Sequence, residues 1–371
     1  MKILVNKFKA GLIGVVGAGL IYAPAYAVED VLNTPSMQTE LAPEKLLLDI
    51  AKAGDRLVSV GFRGHIIYSD NGGVSWEQAS VPVSVLLNAV SFVDDSYGWA
   101  VGHSGVVLHT TDGGMTWSTQ FDGNQANEMI ITQAEKRFEN ALAKVEEASE
   151  DEVADLEYAA EDAEFALEDA RLDAEVGASK PFLDVLFSSR TEGFAVGAYG
   201  YFFKTKDGGI TWDNYGGRIQ NRDRFHLNAI NKIKGGALFI VGEAGILFRS
   251  QDGGESWDTI DSPYSGSFFG VTGTQENDVV IAFGLRGHLY RSQDAGNSWT
   301  RINSGSESAL MSASVNQEGD ISVVGNSGAV LFSEDGGRSF TEVIREDRLS
   351  NTSAVFVGPE KLALVGENGV N

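Results

Sequence analysis

The side chains that could do chemistry in this sequence are the acids of one recurring motif, Ser/Thr-x-Asp-x-Gly-x-Ser/Thr-Trp. Repeated Asp-x-Gly is a feature of calcium loops, but calcium takes about six to eight oxygen ligands and no copy supplies several further carboxylates. A tight turn offers another role, because Asp accepts backbone N–H bonds and Gly adopts the left-handed conformation there. The pattern therefore predicts structural turn residues rather than metal ligands, at Asn71, Asp112, Asp207, Asp252, Asp294 and Asp335.

Other potential catalytic groups form no recognisable constellation. The sequence has no cysteine, which excludes disulfides, thiol catalysis and cysteine-ligated metals. Its 5 histidines are scattered, and the pair His103 and His109 within one hairpin is more often structural than metal-binding. No phosphate loop, Ser–His–Asp pattern or His-x-x-x-His spacing occurs. We therefore expect no enzyme, cofactor or metal.

The charge balance narrows the choice of partner. The 371 residues include 52 acidic and 28 basic side chains, which gives a net charge of -24. Nucleic-acid recognition needs a concentrated basic surface, so a nucleic acid is not expected as the partner.

The acidic motif is part of a longer repeat of aliphatic residues, Gly-x-x-Gly, an apolar run and then the turn. Its first glycine recurs every 41–45 residues, except for one gap that holds about 53 extra residues. A period of this size with strand-like segments predicts an all-β fold, a β-propeller with four strands in each blade. In the second copy we expect strands over 88–93, 99–101, 106–110 and 115–118. The motif's aromatic residue should fill the space between blades, at Trp76, Trp117, Trp212, Trp257, Trp299 and Phe340.

Segments such as FAVGAYGYFFKTKDGGITW (194–212) resemble the repeats of BNR/Asp-box propellers, which include sialidases and sortilin-type receptors. The tighter resemblance is to the photosystem II assembly and stability factor propellers, over about residues 45–371 except the insert. It implies seven blades and a role in binding a membrane protein, without catalysis. Photosynthetic members bind a newly made reaction-centre subunit, whereas related bacterial propellers look like periplasmic companions of membrane exporters, including the RND type. A long acidic insert and the lack of a lipidated N-terminal cysteine depart from the photosynthetic members, so we interpret the chain as a non-photosynthetic bacterial member.

An enzyme of the sialidase type is the alternative that the motif raises. Such a glycoside hydrolase needs three converging arginines, a Tyr–Glu pair and an Asp acid. The sequence offers Arg63, Arg286 and Arg301, but it has no Arg-Ile-Pro signature. Its short, regular blades also leave little room for catalytic loops.

The domain boundaries follow from the repeat and from the first residues. Residues 1–27 have lysines, an apolar run and Ala25-Tyr26-Ala27, which predict a signal peptide cleaved after Ala27 and a periplasmic location. A membrane anchor is less favoured because the apolar run is short. Blades 1–2 should occupy 45–122 and blades 3–7 should occupy 179–371. The seventh copy stops after two strands, so either residues 28–44 add a closing strand or the chain is truncated.

The insert at 123–178 predicts an antiparallel helical hairpin, with helices over 127–148 and 150–176 and apolar residues at 3-4 spacing that form a coiled-coil seam. Ser149 and Glu152 should form a capping box. Residues 126–176 contain 17 acidic and 4 basic side chains, a charge of -13. The second predicted helix has another apolar stripe outside the seam, at Tyr158, Phe165 and Leu172. This stripe is either a docking surface for a partner helix or a cover for the seam or the propeller rim.

Propeller topology places the insert on the face that carries the turns between the second and third strands, because connectors between blades leave from that end. This face collects arginine and aromatic side chains, which anchor protein interfaces. An alternative is that the arginines pair with the acidic insert. We expect a protein that is monomeric by itself and binds an integral membrane protein or its complex peripherally, through Arg63, His103, Tyr199, Arg218, Arg222, Arg224, Glu243 and Arg286.

Overall fold

The computed structural model describes residues 30–371, so the predicted signal peptide lies outside the described residues. Seven antiparallel sheets follow one another along the described chain, six with four strands and the last with three. The first strand of every sheet lines a central cavity of about 440 Å³. A helical hairpin interrupts the series after the second sheet. This architecture is the seven-bladed propeller with a helical insert that the sequence and its family resemblance predict.

Each blade is built from consecutive strands. Blade 1 contains β1 (Leu47–Ala53), β2 (Arg56–Gly61), β3 (Ile66–Ser69) and β4 (Glu77–Gln78). Blade 2 contains β5 (Leu87–Phe92), β6 (Gly98–Gly102), β7 (Val107–Thr110) and β8 (Ser118–Phe121). Blade 3 contains β9 (Phe182–Phe187), β10 (Gly193–Gly197), β11 (Phe202–Thr205) and β12 (Asp213–Asn214). Blade 4 contains β13 (Leu227–Lys232), β14 (Leu238–Gly242), β15 (Leu247–Ser250) and β16 (Asp258–Thr259). Blade 5 contains β17 (Phe268–Gly273), β18 (Val280–Gly284), β19 (Leu289–Ser292) and β20 (Thr300–Ile302). Blade 6 contains β21 (Leu310–Val315), β22 (Ile321–Gly325), β23 (Ala329–Ser333) and β24 (Thr341–Ile344). Blade 7 contains β25 (Asn351–Gly358), β26 (Lys361–Gly366) and β27 (Gly369–Val370).

The outer strand of blade 2 begins later than the expected 115–118, at Ser118. The acid of the preceding turn explains the delay. The Asp112 carboxylate accepts hydrogen bonds from the backbone N–H groups of Met115 and Thr116, each at 3.0 Å. Those two residues therefore stay in the turn, and pairing with β7 starts only after the tryptophan.

The core lies between neighbouring blades, where the motif's aromatic rings are packed. Trp117 of blade 2 is buried in a cluster that includes Val58 and Val60 of blade 1. The ring of Trp257, in blade 4, packs edge-on against Phe202 and Phe194 of blade 3 at 5.3 and 6.2 Å. A large ring at this position thus joins two sheets.

Hydrogen bonds from basic side chains also join neighbouring blades, and these bonds were not predicted from the sequence. At four blade boundaries a Lys or Arg of one blade donates to a turn carbonyl of the next. The accepting carbonyl always belongs to the residue directly after the motif's acid, so an equivalent hydrogen bond recurs at each of these boundaries. The donor and acceptor residues, at N···O distances of 2.7–3.2 Å, are Arg56 and Gly113, Lys204 and Gly253, Arg249 and Ala295, and Arg291 and Gly336.

The insert forms two packed helices, α1 (Gly123–Glu146) and α2 (Val153–Glu175). The cap of α1 is Asp122, whose carboxylate accepts from the N–H of Asn124 at 2.7 Å while Gln125 reaches back to the Asp122 N–H at 3.0 Å. The capping box predicted for α2 is wrong. The Ser149 hydroxyl donates to the Glu152 carboxylate at 2.6 Å, and α2 begins with no side-chain cap bond.

All predicted seam positions in the hairpin are buried or half-buried, whereas most other positions are exposed. Four seam residues of α2 are almost inaccessible to solvent, and three of them are alanines, which let the helices approach closely. They are Ala160, Ala163, Leu167 and Ala170.

The N-terminal segment does not supply a strand to blade 7. Among residues 30–46 the regular element is a 3-10 helix, Ala42–Glu44. The segment instead runs beside blade 1, where the Ser36 N–H donates to the Val81 carbonyl at 3.0 Å. The closing strand considered for 28–44 is therefore not present in the described residues.

The ring closes through the inner strands of blades 7 and 1. The Thr352 hydroxyl donates to the Leu47 carbonyl at 2.7 Å, and the Ser353 hydroxyl donates to Asp49 at 2.8 Å. Polar contacts beside the central cavity thus join the first and last blades.

Candidate partner-binding face

Six turns between the second and third strands share one backbone conformation. Each is a three-residue 3-10 turn whose middle residue has a positive φ of 51–58° although it is not glycine. This left-handed conformation costs about 1–2 kcal/mol for a residue with a Cβ. The middle residues, from blade 1 to blade 6, are Arg63, Ser104, Tyr199, Ala244, Arg286 and Ser327.

Three of the predicted face residues therefore occupy one equivalent position. Arg63, Tyr199 and Arg286 stand at the middle of their turns and are exposed. Phe62 and Leu285, just before the two arginines, are exposed as well. The turns thus present apolar and guanidinium groups side by side, a combination suited to a peptide.

The other two predicted turn residues stand at the first position of their turns. His103 is exposed. Glu243 is half-buried, and its carboxylate accepts from the backbone N–H of His226 at 3.2 Å. The His226 ring in turn packs against Tyr199 at 4.9 Å. Glu243 thus supports the neighbouring connector through one of its carboxylate oxygens.

The three predicted arginines in the connector before blade 4 differ in whether they form an ion pair with the insert. Arg224 pairs with Asp169 of α2 at 3.2 Å and with Asp173 at 3.6 Å, so for this residue the alternative of pairing with the insert holds. Arg218 lies 5.5 Å from the Tyr215 ring. Within residues 30–371, Arg218 and Arg222 are exposed and have no acidic partner at ion-pair distance.

The base of the hairpin packs on this same face. Asn127 of α1 is buried, accepts from the Tyr201 hydroxyl at 3.2 Å and donates to the Gly177 carbonyl at 3.1 Å. Lys180 pairs with Asp173 and lies 5.3 Å from the Tyr201 ring. Burial, with the charge of Asp173, raises the pKa of Tyr201 to about 12, so its hydroxyl keeps its proton at neutral pH.

One further arginine of this face was missed from the sequence. Arg348 lies in the connector before blade 7, is exposed and has a φ of 52°. Its Cα is next to Gly328 in the adjacent turn, where an added Cβ would approach it to 2.9 Å. Arg224 has a φ of 53° in the corresponding connector before blade 4. The shared Asp-Arg dipeptide, at 223–224 and 347–348, was the available signal.

The hairpin's second stripe lies away from the propeller. Tyr158, Phe165 and Leu172 are 75%, 67% and 60% exposed. These side chains therefore neither wrap around the seam nor cover the propeller rim.

The motif acids make the bonds of a tight turn. Asp252 accepts from the hydroxyls of Ser250 and Ser256 at 2.8 and 2.6 Å, and from the backbone N–H of Ser256 at 3.0 Å. The Ser256 hydroxyl is the main cause of a lowered pKa for Asp252. The same pattern recurs at Asp112, Asp207, Asp294 and Asp335, and with an amide side chain at Asn71.

Two carboxylates line the central cavity, and neither was singled out from the sequence. Asp49 accepts from the Val90 N–H at 2.9 Å, and Asp184 accepts from the Ile230 N–H at 2.8 Å, each across a blade boundary. Burial raises the pKa of Asp49 to about 6 and that of Asp184 to about 7. These bonds give both carboxylates a structural role in joining blades.

The arrangement lacks the features of a sialidase or metal site in the part that the structure describes. Arginine is absent from the residues lining the central cavity, so Arg63, Arg286 and Arg301 do not converge there. Between residues 30 and 371 the structure shows no cluster of three or more His, Cys, Asp or Glu side chains that could hold a metal ion. Nor does this part of the chain contain a helix that is long and apolar enough to cross a bilayer.

Comparison with known proteins connects the chain to a family. The family model described as "Photosynthesis system II assembly factor YCF48" matches residues 29–128 and 166–321. A chloroplastic photosystem II stability/assembly factor, HCF136 from Oryza sativa subsp. japonica, is 34% identical over 96 residues, or 22% of this chain and 23% of the relative. The photosystem II assembly protein Ycf48 of Thermosynechococcus vestitus is 28% identical over 65 residues, or 18% of this chain and 17% of the relative. These alignments span only about a quarter or less of the relatives' own length.

A solved structure shows the same fold over nearly the whole chain. YCF48 bound to D1 peptide superposes with a TM-score of 0.60, covering 91% of this chain and 97% of that chain at 17% identity. At this identity the similarity shows the fold alone. The family model, however, matches well over half of the residues. The chain therefore belongs to the family of the photosystem II assembly factor YCF48.

Proposed function

We propose that this protein is a non-catalytic, periplasmic propeller that binds a segment of a membrane protein on its arginine-bearing face and supports the assembly or stability of that protein's complex. One observation carries the proposal. Arg63, Tyr199 and Arg286 are exposed at equivalent positions of turns on one face, and within residues 30–371 the two arginines have no acidic partner at ion-pair distance.

The chemistry of the face suits a peptide rather than a small substrate. Guanidinium groups donate in a planar fork to carbonyl and carboxylate oxygens, and aromatic rings supply contact area at low entropic cost. Arg218 and Arg222 extend the same donor set along the connector before blade 4. A partner segment with an acidic or terminal carboxylate would find several donors there.

The relatives support a membrane-protein partner. One solved YCF48 structure is bound to a D1 peptide, and the curated relatives are photosystem II stability or assembly factors. These relatives favour an assembly or stability role at a membrane-protein complex. An RND-type envelope exporter is the alternative partner, because the long acidic hairpin departs from the photosynthetic members.

Export through the predicted signal peptide is part of the proposal. Intact-mass measurement of the protein recovered from the periplasm should show that it starts at Val28. A cytoplasmic protein that retains its first residues would contradict the proposed location.

Charge reversal on the face tests the function directly. In a quadruple variant of Arg63→Glu, Arg218→Glu, Arg222→Glu and Arg286→Glu, we expect recovery of membrane complexes in a pull-down to fall at least about tenfold, because the donors are replaced by repelling carboxylates. Thermal unfolding should be nearly unchanged, since these side chains make no ion pair within residues 30–371.

The matched control reverses two exposed lysines on the opposite face, Lys232→Glu and Lys361→Glu, which lie beside turns between first and second strands. The control should keep the partner. Equal recovery by both variants, or recovery of soluble proteins alone, would refute the proposed face. Mass spectrometry of the recovered complex distinguishes a reaction-centre protein from an exporter.

A further inference from the structure

The outer side of α2 is an apolar stripe that nothing in the described structure covers. Tyr158, Phe165 and Leu172 repeat every seven residues, and Val176 continues the line with 73% exposure. Since seven residues are almost two helical turns, these side chains share one side of the helix. The seam with α1 lies on the other side, where Ala163 and Leu167 are buried. The stripe is therefore surplus to the packing of the hairpin.

Carboxylates flank Tyr158, Phe165 and Leu172 with the same seven-residue period. A glutamate follows three residues after each of these side chains, and an aspartate precedes each by three. Residues three apart on a helix are neighbours, so the stripe has an acidic row on both sides. The flanking residues are Glu161, Glu168 and Glu175 on one side, and Asp155, Asp162 and Asp169 on the other.

The protein itself uses only part of this charge. Asp162 pairs with Arg137 at 2.5 Å, and Asp169 pairs with Arg224. The glutamate row has no cationic partner at ion-pair distance within residues 30–371. Altogether α2 contains nine acidic residues and one arginine, whereas α1 contains four acidic and three basic residues. The unused negative potential is therefore concentrated beside the exposed apolar stripe.

We propose that the outer side of α2 binds a basic amphipathic helix, with apolar residues at seven-residue spacing and Lys or Arg on both flanks. Apolar contact at the stripe and opposite charges at its edges are the arrangement that sets pairing in coiled coils. The same charge disfavours two other occupants. A second copy of α2 would bring like charges together, and an anionic lipid surface would repel the helix.

The stripe also has a defined length and position. From Tyr158 to Val176 it extends about 27 Å, which fits a partner helix of about 18–20 residues. Its C-terminal end lies next to the arginine-bearing face, where Asp169 and Asp173 form ion pairs with Arg224. The helix site is separate from that face in residues and in charge, so it stands even if the proposed function fails.

Binding of designed peptides to the mature protein tests the inference. The basic probe is a synthetic helix of about 21 residues, with Leu at every seventh position and Lys three residues to each side. The matched probe carries Glu in place of each Lys. We expect measurable binding of the basic probe by calorimetry or fluorescence anisotropy, weakened by added salt, and no binding of the acidic probe.

Two variants separate the contributions of the stripe and of the charge. Replacing Tyr158, Phe165 and Leu172 by alanine keeps every carboxylate, and alanine is a good helix former. This variant should bind the basic probe at least about tenfold more weakly than the parent protein. Glu161→Gln, Glu168→Gln and Glu175→Gln together should weaken it in a salt-dependent way. The control Val74→Ala with Ile210→Ala removes equally exposed apolar residues on the opposite face and should change nothing. Circular dichroism checks that helix content is kept.

Three results would overturn the inference. Undiminished binding by the alanine variant would show that charge alone attracts the probe. Stripe-dependent dimers in sedimentation would assign the surface to a second copy, and stripe-dependent binding to anionic phosphatidylglycerol vesicles would assign it to a membrane. The quadruple arginine variant should bind the basic probe as the parent does, so failure of the arginine face and failure of the helix site are distinguishable.

Discussion

At the residue scale, one turn position decides which side chains the propeller displays. Gly-x-x-Gly predicts a tight hairpin, but it does not tell which of the two middle residues stands in the left-handed region. The structure shows that the second one does, in six blades. The same conformation at Ser104, Ala244 and Ser327 shows that this backbone strain, about 1–2 kcal/mol per residue, belongs to the turn itself. Sequence letters could not reveal this, because φ depends on the hairpin geometry.

The carboxylates of the central cavity should make stability depend on pH. Asp49 and Asp184 hold their protons more tightly in the folded state than their ordinary pKa of 3.8 implies, with values of about 6 and about 7. Their contribution to stability is therefore complete below about pH 4 and is lost as the pH rises through 6–7. The free energy of unfolding falls by up to about 1.4 kcal/mol per pH unit for each carboxyl group that is protonated in the folded state and ionised in the unfolded state.

Urea unfolding at pH 5 and pH 8 would measure this effect. The double variant Asp49→Asn and Asp184→Asn should show a smaller loss of free energy of unfolding between these pH values than the parent protein. An equal slope in the parent and the double variant would show that the two carboxylates titrate normally.

At the element scale, periodicity predicted the strands and helices, and side-chain contacts set their ends. The 3-4 spacing in the insert predicted two packed helices, but α1 begins at Gly123 rather than 127 because Asp122 and Gln125 form the capping box. Glycine is a poor helix former, so its place in the first turn concealed that start. The hydrogen bonds between blades, such as that from Arg291 to the Gly336 carbonyl, join residues 45 positions apart in sequence. A local sequence pattern therefore could not predict them.

The hairpin should be separable from the propeller. Its two ends meet at the base, where a Cβ on Gly123 would lie 3.0 Å from Ala178. Deleting residues 124–177 should therefore leave a folded propeller whose melting temperature falls by several degrees, through the lost hydrogen bond of Tyr201 with Asn127 and the lost packing of Ala126, Met129 and Ile130 at the base. Calorimetry and near-ultraviolet circular dichroism would check this. Loss of cooperative unfolding would mean that the insert belongs to the core.

At the scale of the whole molecule, charge is concentrated locally rather than spread evenly. The net charge is -24, yet 17 acidic residues lie between 126 and 176, and the nearby turns and connectors display arginines. Repeat spacing was enough to predict the propeller and the face from which the insert leaves. How the ring closes was not predicted, because it depends on inner-strand contacts between residues about 300 apart, such as Ser353 and Asp49.

Site-specific photocrosslinking in living cells would show whether the arginine-bearing face contacts a membrane protein. A photoreactive phenylalanine derivative at Tyr199 probes this face, and the same group at Val74, which is 79% exposed in an acidic turn of the opposite face, is the control. We predict one dominant crosslinked integral membrane protein from position 199 and none from position 74. Crosslinks of equal yield from both positions, or only soluble products from position 199, would show that this face does not bind a membrane protein.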